Sequence, residues 1–78
     1  MLGGMARRRE APYMEIARYV RDKITSGELV PGDQVPSASE LCDIFSVSRG
    51  TALRALKVLR DEGALEITPG WGSFVTNR

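Results

Sequence analysis

The sequence predicts a winged helix-turn-helix, a mainly α fold of three helices completed by a short strand and a small C-terminal β-hairpin, the wing. Three observations predict it. Apolar residues recur at helical spacing after Pro12; a three-residue break, "SVS", separates two further helical stretches; two extended runs flank "PGWG" near the end.

The first helix is expected over about 12–26. Tyr13, Ile16, Ala17, Val20 and Ile24 fall at i, i+3, i+4, i+7 and i+11, a single apolar stripe. Pro12 suits a first helical turn, whose amides lack intrahelical acceptors anyway. Gly27 suits a left-handed stop. In "GELVPGDQVPS", Pro31-Gly32 favours a tight turn and Pro36 biases Val35 to extended backbone. A short strand is expected around Gln34 and Val35.

Ser37 stands three residues before Glu40, the spacing of a capping box. A second helix should therefore run over about 38–45 and bury Leu41 and Ile44, with Phe45 beside them. Ser48 is the expected N-cap of a third helix. Its apolar face is Ala52, Ala55, Leu56 and Leu59, and Gly63 ends it. Pro69, Gly70 and Gly72 make a hairpin turn between strands over about 64–68 and 73–76. The expected core is Tyr13, Ile16, Val20, Ile24, Leu41, Leu56, Leu59 and Phe74.

Composition narrows the function. A chain of 78 residues buries only about 60% of its unfolded surface, which leaves little room for an enclosed catalytic cleft. There is no histidine and one cysteine, Cys42. Histidine-centred nucleophilic chemistry and zinc sites of the usual ligand types are therefore not expected. No P-loop or dinucleotide glycine fingerprint appears. The reading is of a non-enzyme without cofactor or metal. A lone cysteine fits a reducing, cytoplasmic setting. No apolar run approaches the ~20 residues of a membrane span, and no apolar segment follows the arginines of "MARRRE" as a secretory signal requires.

Net charge is only +1, but it is unevenly spread. Arg7, Arg8 and Arg9 hold three of the 11 cations, leaving eight against ten acids in the rest. Within that remainder, "SVSRGTALRALKVLR" gathers Arg49, Arg54, Lys57 and Arg60 with no acid. Residues 1–11 show no periodicity and are expected to form a flexible basic arm before a domain over 12–78. Such an arm can follow a nucleic-acid groove. A cation at the first turn of a helix opposes the helix dipole by ~0.3–1 kcal/mol, so Arg49 calls for a reason outside the helix.

Arg49 supplies one. At the start of the third helix it can enter a major groove and donate two hydrogen bonds to a guanine edge, worth ~1–3 kcal/mol of discrimination. The free amides near Ser48, Arg49, Gly50 and Thr51 suit a phosphate. Ser48 and Thr51 also serve as capping residues. Gly50 weakens the helix but allows close approach to a DNA backbone. Arg54 and Lys57 are placed for phosphates rather than bases. Leu53, one turn after Arg49 and off the apolar face, could meet a thymine methyl or a partner protomer, or remain a partly covered surface leucine. Trp71, between Gly70 and Gly72, could lie against the minor groove, fold back over the hairpin or fill a dimer contact.

Taken in order, "YMEIA", "I-SGELVPGDQVPS", "SEL", "VSRGT-LRAL--L--EGAL" and "GWGSFV" resemble the DNA-binding domain of GntR-family transcription regulators from Tyr13 to Val75. The resemblance implies a sequence-specific binder of double-stranded DNA, usually a repressor acting as a homodimer on a two-fold operator. It implies no membrane partner. Members normally carry a larger C-terminal ligand-binding and dimerisation domain. With the sequence ending at Arg78, no small-molecule effector domain is expected in this chain. The family's "PSxREL" segment falls on Pro36 to Leu41, and its arginine on Ser39. A second frequent arginine falls on Leu53, and Trp71 stands where a basic or polar wing residue is common. An architectural, recombination or plasmid-maintenance accessory protein is the alternative.

Overall fold

The computed structural model describes residues 11–77. Its elements run α1 (Pro12–Thr25), α2 (Ala38–Phe45), α3 (Arg49–Asp61), β1 (Leu65–Thr68) and β2 (Gly72–Val75). This is the predicted three-helix fold with its wing. Residues 1–10 of the expected basic arm, including Arg7 to Arg9, lie outside the described residues.

Each boundary has a local cause. Pro12 occupies the first turn of α1, with Ala11 extended before it. The Ser37 hydroxyl accepts from the Glu40 amide at 3.1 Å, and the Ser37 amide donates to the Glu40 carboxylate at 2.8 Å. That reciprocal box opens α2. The helix ends at Ser46, a non-glycine residue in the left-handed region at φ 55°. Ser48 then starts α3, its hydroxyl accepting from the Thr51 amide at 3.2 Å.

α3 packs against α1, α2 and β1 and so lies at the centre of the domain. Ala52, Ala55, Leu56 and Leu59 are its buried face, as the sequence predicts. Ile16, Ala17 and Val20 meet them from α1, Ala38 and Leu41 from α2, Leu65 and Val75 from the hairpin, and Val35 from the segment between helices. Tyr13 and Ile24 pack at the margin.

The hairpin is antiparallel, with Leu65 opposite Val75 and Ile67 opposite Ser73. The expected strand near Gln34 is a single bridge from Gln34 to Phe74. It is flanked by bonds from the Val35 amide to the Ser73 carbonyl at 2.9 Å and from the Val75 amide to the Asp33 carbonyl at 2.8 Å.

Two core expectations are corrected. Ile44 is 53% exposed. The inward face of α2 is Ala38, Leu41, Cys42 and Phe45, and Phe45 meets Tyr19 edge-on with ring centroids 5.1 Å apart. Ile44 falls off that stripe. Phe74 is also absent from the core. Side chains alternate across a strand, and β2 turns Ser73 and Val75 inward, leaving Phe74 half-buried on the face it shares with Glu66.

Candidate nucleic-acid interface

The turn between α2 and α3 sets their N-termini to work together. The Arg49 guanidinium reaches back across the turn, its Nη1 lying 3.4 Å from the Ser39 hydroxyl. At that length the contact is weak and leaves the guanidinium available. The Ser48 and Thr51 hydroxyls lie 3.0 Å apart and close the cap. Within its capping box the Ser37 hydroxyl accepts from the Glu40 amide and keeps its own proton to donate. Ser37, Ser39, Ser48, Arg49 and Gly50 are exposed, and Thr51 is half-buried.

α3 differs from the other helices in how it treats its dipole. α1 and α2 each carry an acid in the first turn, Glu15 and Glu40. The first turn of α3 has none and begins with Arg49. Gly50 follows, and nothing in the fold requires a glycine there. A Cβ on Gly50 would meet no heavy atom closer than the Ser48 hydroxyl at 4.0 Å. Both residues lower helix stability, and among the described residues the only compensating contact of either side chain is the weak one from Arg49 to Ser39.

The cations sort by position. Arg21 forms a two-pronged pair with Glu62, with contacts of 2.6 and 3.2 Å. Arg60 pairs with Asp61 at 3.2 Å. Lys23 pairs with Glu28 at 2.9 Å, and that hydrogen bond raises its ammonium pKa above the ordinary value. Arg49, Arg54 and Lys57 have no acid partner among the described residues. All three are exposed on α3. Arg60, on the same helix, is partly neutralised by its neighbour.

Arg54 is held over Tyr13 of α1, its guanidinium carbon 4.1 Å from the ring centroid. Such a contact leaves the N–H groups at the rim of the guanidinium free to donate. Sequence reasoning placed Tyr13 in the core and missed this supporting role, because nothing local links residues 13 and 54. Leu53 is 38% exposed, outside the core of α3.

At the wing, the Trp71 amide donates to the Thr68 carbonyl at 2.9 Å, closing a turn with Pro69 and a left-handed Gly70 at its centre. Gly72 has φ 119°. Gln34 donates from Nε2 to the Trp71 carbonyl at 3.0 Å. The strand expected around Gln34 carried no sign of this side-chain contact, whose partner lies 37 residues away. The indole of Trp71 points away from this scaffold and is 74% exposed. It does not fold back over the hairpin.

Among the described residues no group of histidine, cysteine or acidic side chains could hold a metal ion. No helix among them is long and apolar enough to cross a membrane.

Residues 12–75 match the family described as "Bacterial regulatory proteins, gntR family". The mannosyl-D-glycerate transport/metabolism system repressor MngR of Escherichia coli is 43% identical over 63 residues, covering 81% of this chain and 26% of that protein. The histidine utilization repressor of Klebsiella aerogenes is 41% identical over 76 residues, covering 96% of this chain and 32% of the relative. The chain thus spans about a quarter to a third of these two relatives. Among solved structures, AraR(DBD) in complex with an operator superposes with a TM-score of 0.85 at 29% identity, covering 88% of this chain and 83% of that one. Sequence and fold together place the chain in the gntR family of bacterial regulatory proteins.

Proposed function

We propose that this domain is a sequence-specific DNA-binding transcription regulator, acting as a repressor in the cytoplasm. The observation that carries the proposal is the sorting of charge: the cations of α3 that lack an acid partner, Arg49, Arg54 and Lys57, share the exposed side of the helix. In this reading α3 enters the major groove with Arg49 on a guanine edge. Ser37, Ser39, Ser48 and Thr51, with the opening amides of α3, face phosphates. Gly50 lets the backbone approach, and Arg54 and Lys57 neutralise phosphates. Gly70, Trp71 and Gly72 bring the wing to the minor groove. Two copies bind a two-fold operator. The repressor names of the relatives and the operator complex of AraR support this assignment.

Selection of bound sequences from a random DNA pool tests it. A two-fold motif with a guanine in each half is expected. A flat result overturns the proposal, and direct repeats accompanied by DNA bending would instead indicate an architectural protein.

A further inference from the structure

We infer that Leu53 is a specificity-determining residue that reads a thymine through its C5-methyl group, next to the base pair read by Arg49. The inference rests on the DNA-binding reading and deepens it. Leu53 lies one helical turn from Arg49 on one side and from Lys57 on the other, with Gly50 three residues before it. Residues at these spacings share a helix face. Apart from Leu56, which is turned into the core, its neighbours at these spacings are thus two cations without acid partners and a glycine with no side chain. All three are exposed, and Leu53 itself is 38% exposed.

That setting decides what can cover it. An apolar protein surface laid over Leu53 would strip water from Arg49 and Lys57 without neutralising them, and burial of unpaired charge is strongly unfavourable. A polyanion neutralises both. On the base edges of a DNA major groove, the apolar group on offer is the thymine methyl. A leucine at the middle of a cationic face is therefore matched to thymine, whereas the flanking arginine is matched to guanine. Gly50 reinforces the match: without a side chain beside Leu53, nothing on the helix holds the leucine off the base edge.

The test uses the operator recovered from the random pool, with each thymine replaced in turn by deoxyuridine, which lacks only the methyl group. Binding is measured for the full chain and for Leu53→Ala, a substitution on an exposed helix position where alanine is a good helix former. At one thymine per half-site, the unsubstituted protein should lose about fourfold in affinity, the ~0.8 kcal/mol of one buried methyl-sized group. Leu53→Ala should bind the thymine and deoxyuridine operators alike, while its melting temperature stays that of the parent. If every deoxyuridine is neutral, or if the loss persists undiminished in Leu53→Ala, the leucine does not read thymine, although DNA binding itself stands. If neither protein binds any selected DNA, both this inference and the reading beneath it fall.

Discussion

Gln34 donates to the Trp71 carbonyl at 3.0 Å through the space a side chain on Gly72 would occupy. A Cβ on Gly72 would lie 2.6 Å from the Gln34 Nε2, at a φ of 119° that side chains rarely adopt. Gly72→Ala is therefore expected to displace Gln34 and strain the turn, lowering stability by ~1–3 kcal/mol. Gln34→Ala alone, which removes an exposed hydrogen bond, should cost less, ~0.5–1.5 kcal/mol at most. Urea unfolding of the two variants checks the order. Equal stability of Gly72→Ala and the parent would show that the turn relaxes freely.

Trp71 is the only tryptophan and is 74% exposed. Its fluorescence therefore reports on the wing tip without labelling. The free protein should emit as a water-exposed indole, and addition of operator DNA should quench or shift that emission. Emission that stays constant through a titration in which binding saturates by another signal would remove the wing tip from the interface.

Gly50 separates stability from binding. Since a Cβ there meets nothing closer than 4.0 Å, Gly50→Ala should stabilise the domain by ~0.5–1 kcal/mol. The same methyl should stand between the helix and DNA and weaken operator binding. Thermal melts and a binding titration on one preparation measure both. A variant that is more stable and binds as tightly would show that DNA does not approach this backbone.

Arg49 and Lys57 should fail in different ways. Arg49→Ala is expected to lose ~1–3 kcal/mol on the operator and little on random DNA, because a base contact is lost. Lys57→Ala should weaken both DNAs alike and reduce the salt slope by ~0.9, because one phosphate contact is lost. Titrations on both DNAs across a salt series distinguish them, and identical behaviour of the two variants would contradict the assigned roles.

Features encoded locally were legible from the sequence. The Ser37–Glu40 box, the Ser48 cap and the apolar face of α3 depend on residues three or four apart, and the structure shows all of them. Ile44 was misplaced even though a signal existed. Ala38, Leu41, Cys42 and Phe45 lie at i, i+3, i+4 and i+7, and a strict helical count from Ala38 excludes residue 44. Phe74 was misplaced for another reason. Which face of a short strand turns inward follows from hairpin register, and here the register buries Ser73 in its place. The cationic face of α3 proposed as the interface was legible in composition, but its supports were not. Tyr13 beneath Arg54 and Gln34 beneath Trp71 join residues that only the folded chain makes neighbours.

The ion pairs on Arg21, Lys23 and Arg60 bear on rates as well as on structure. With a net charge of only +1, the chain has little overall attraction for a polyanion at long range. Among the described residues, the cations of α3 without an acid partner, Arg49, Arg54 and Lys57, are exposed on that helix, and on the proposed DNA-binding reading an approaching duplex exerts a torque on them before it exerts a pull. In that proposed encounter the torque turns α3 toward the duplex, and collisions that begin in the wrong orientation become productive ones. Weak overall attraction also limits residence on irrelevant DNA. On that reading Glu62, Glu28 and Asp61, which pair with Arg21, Lys23 and Arg60, help set how quickly the domain searches and how lightly it holds whatever it meets on the way.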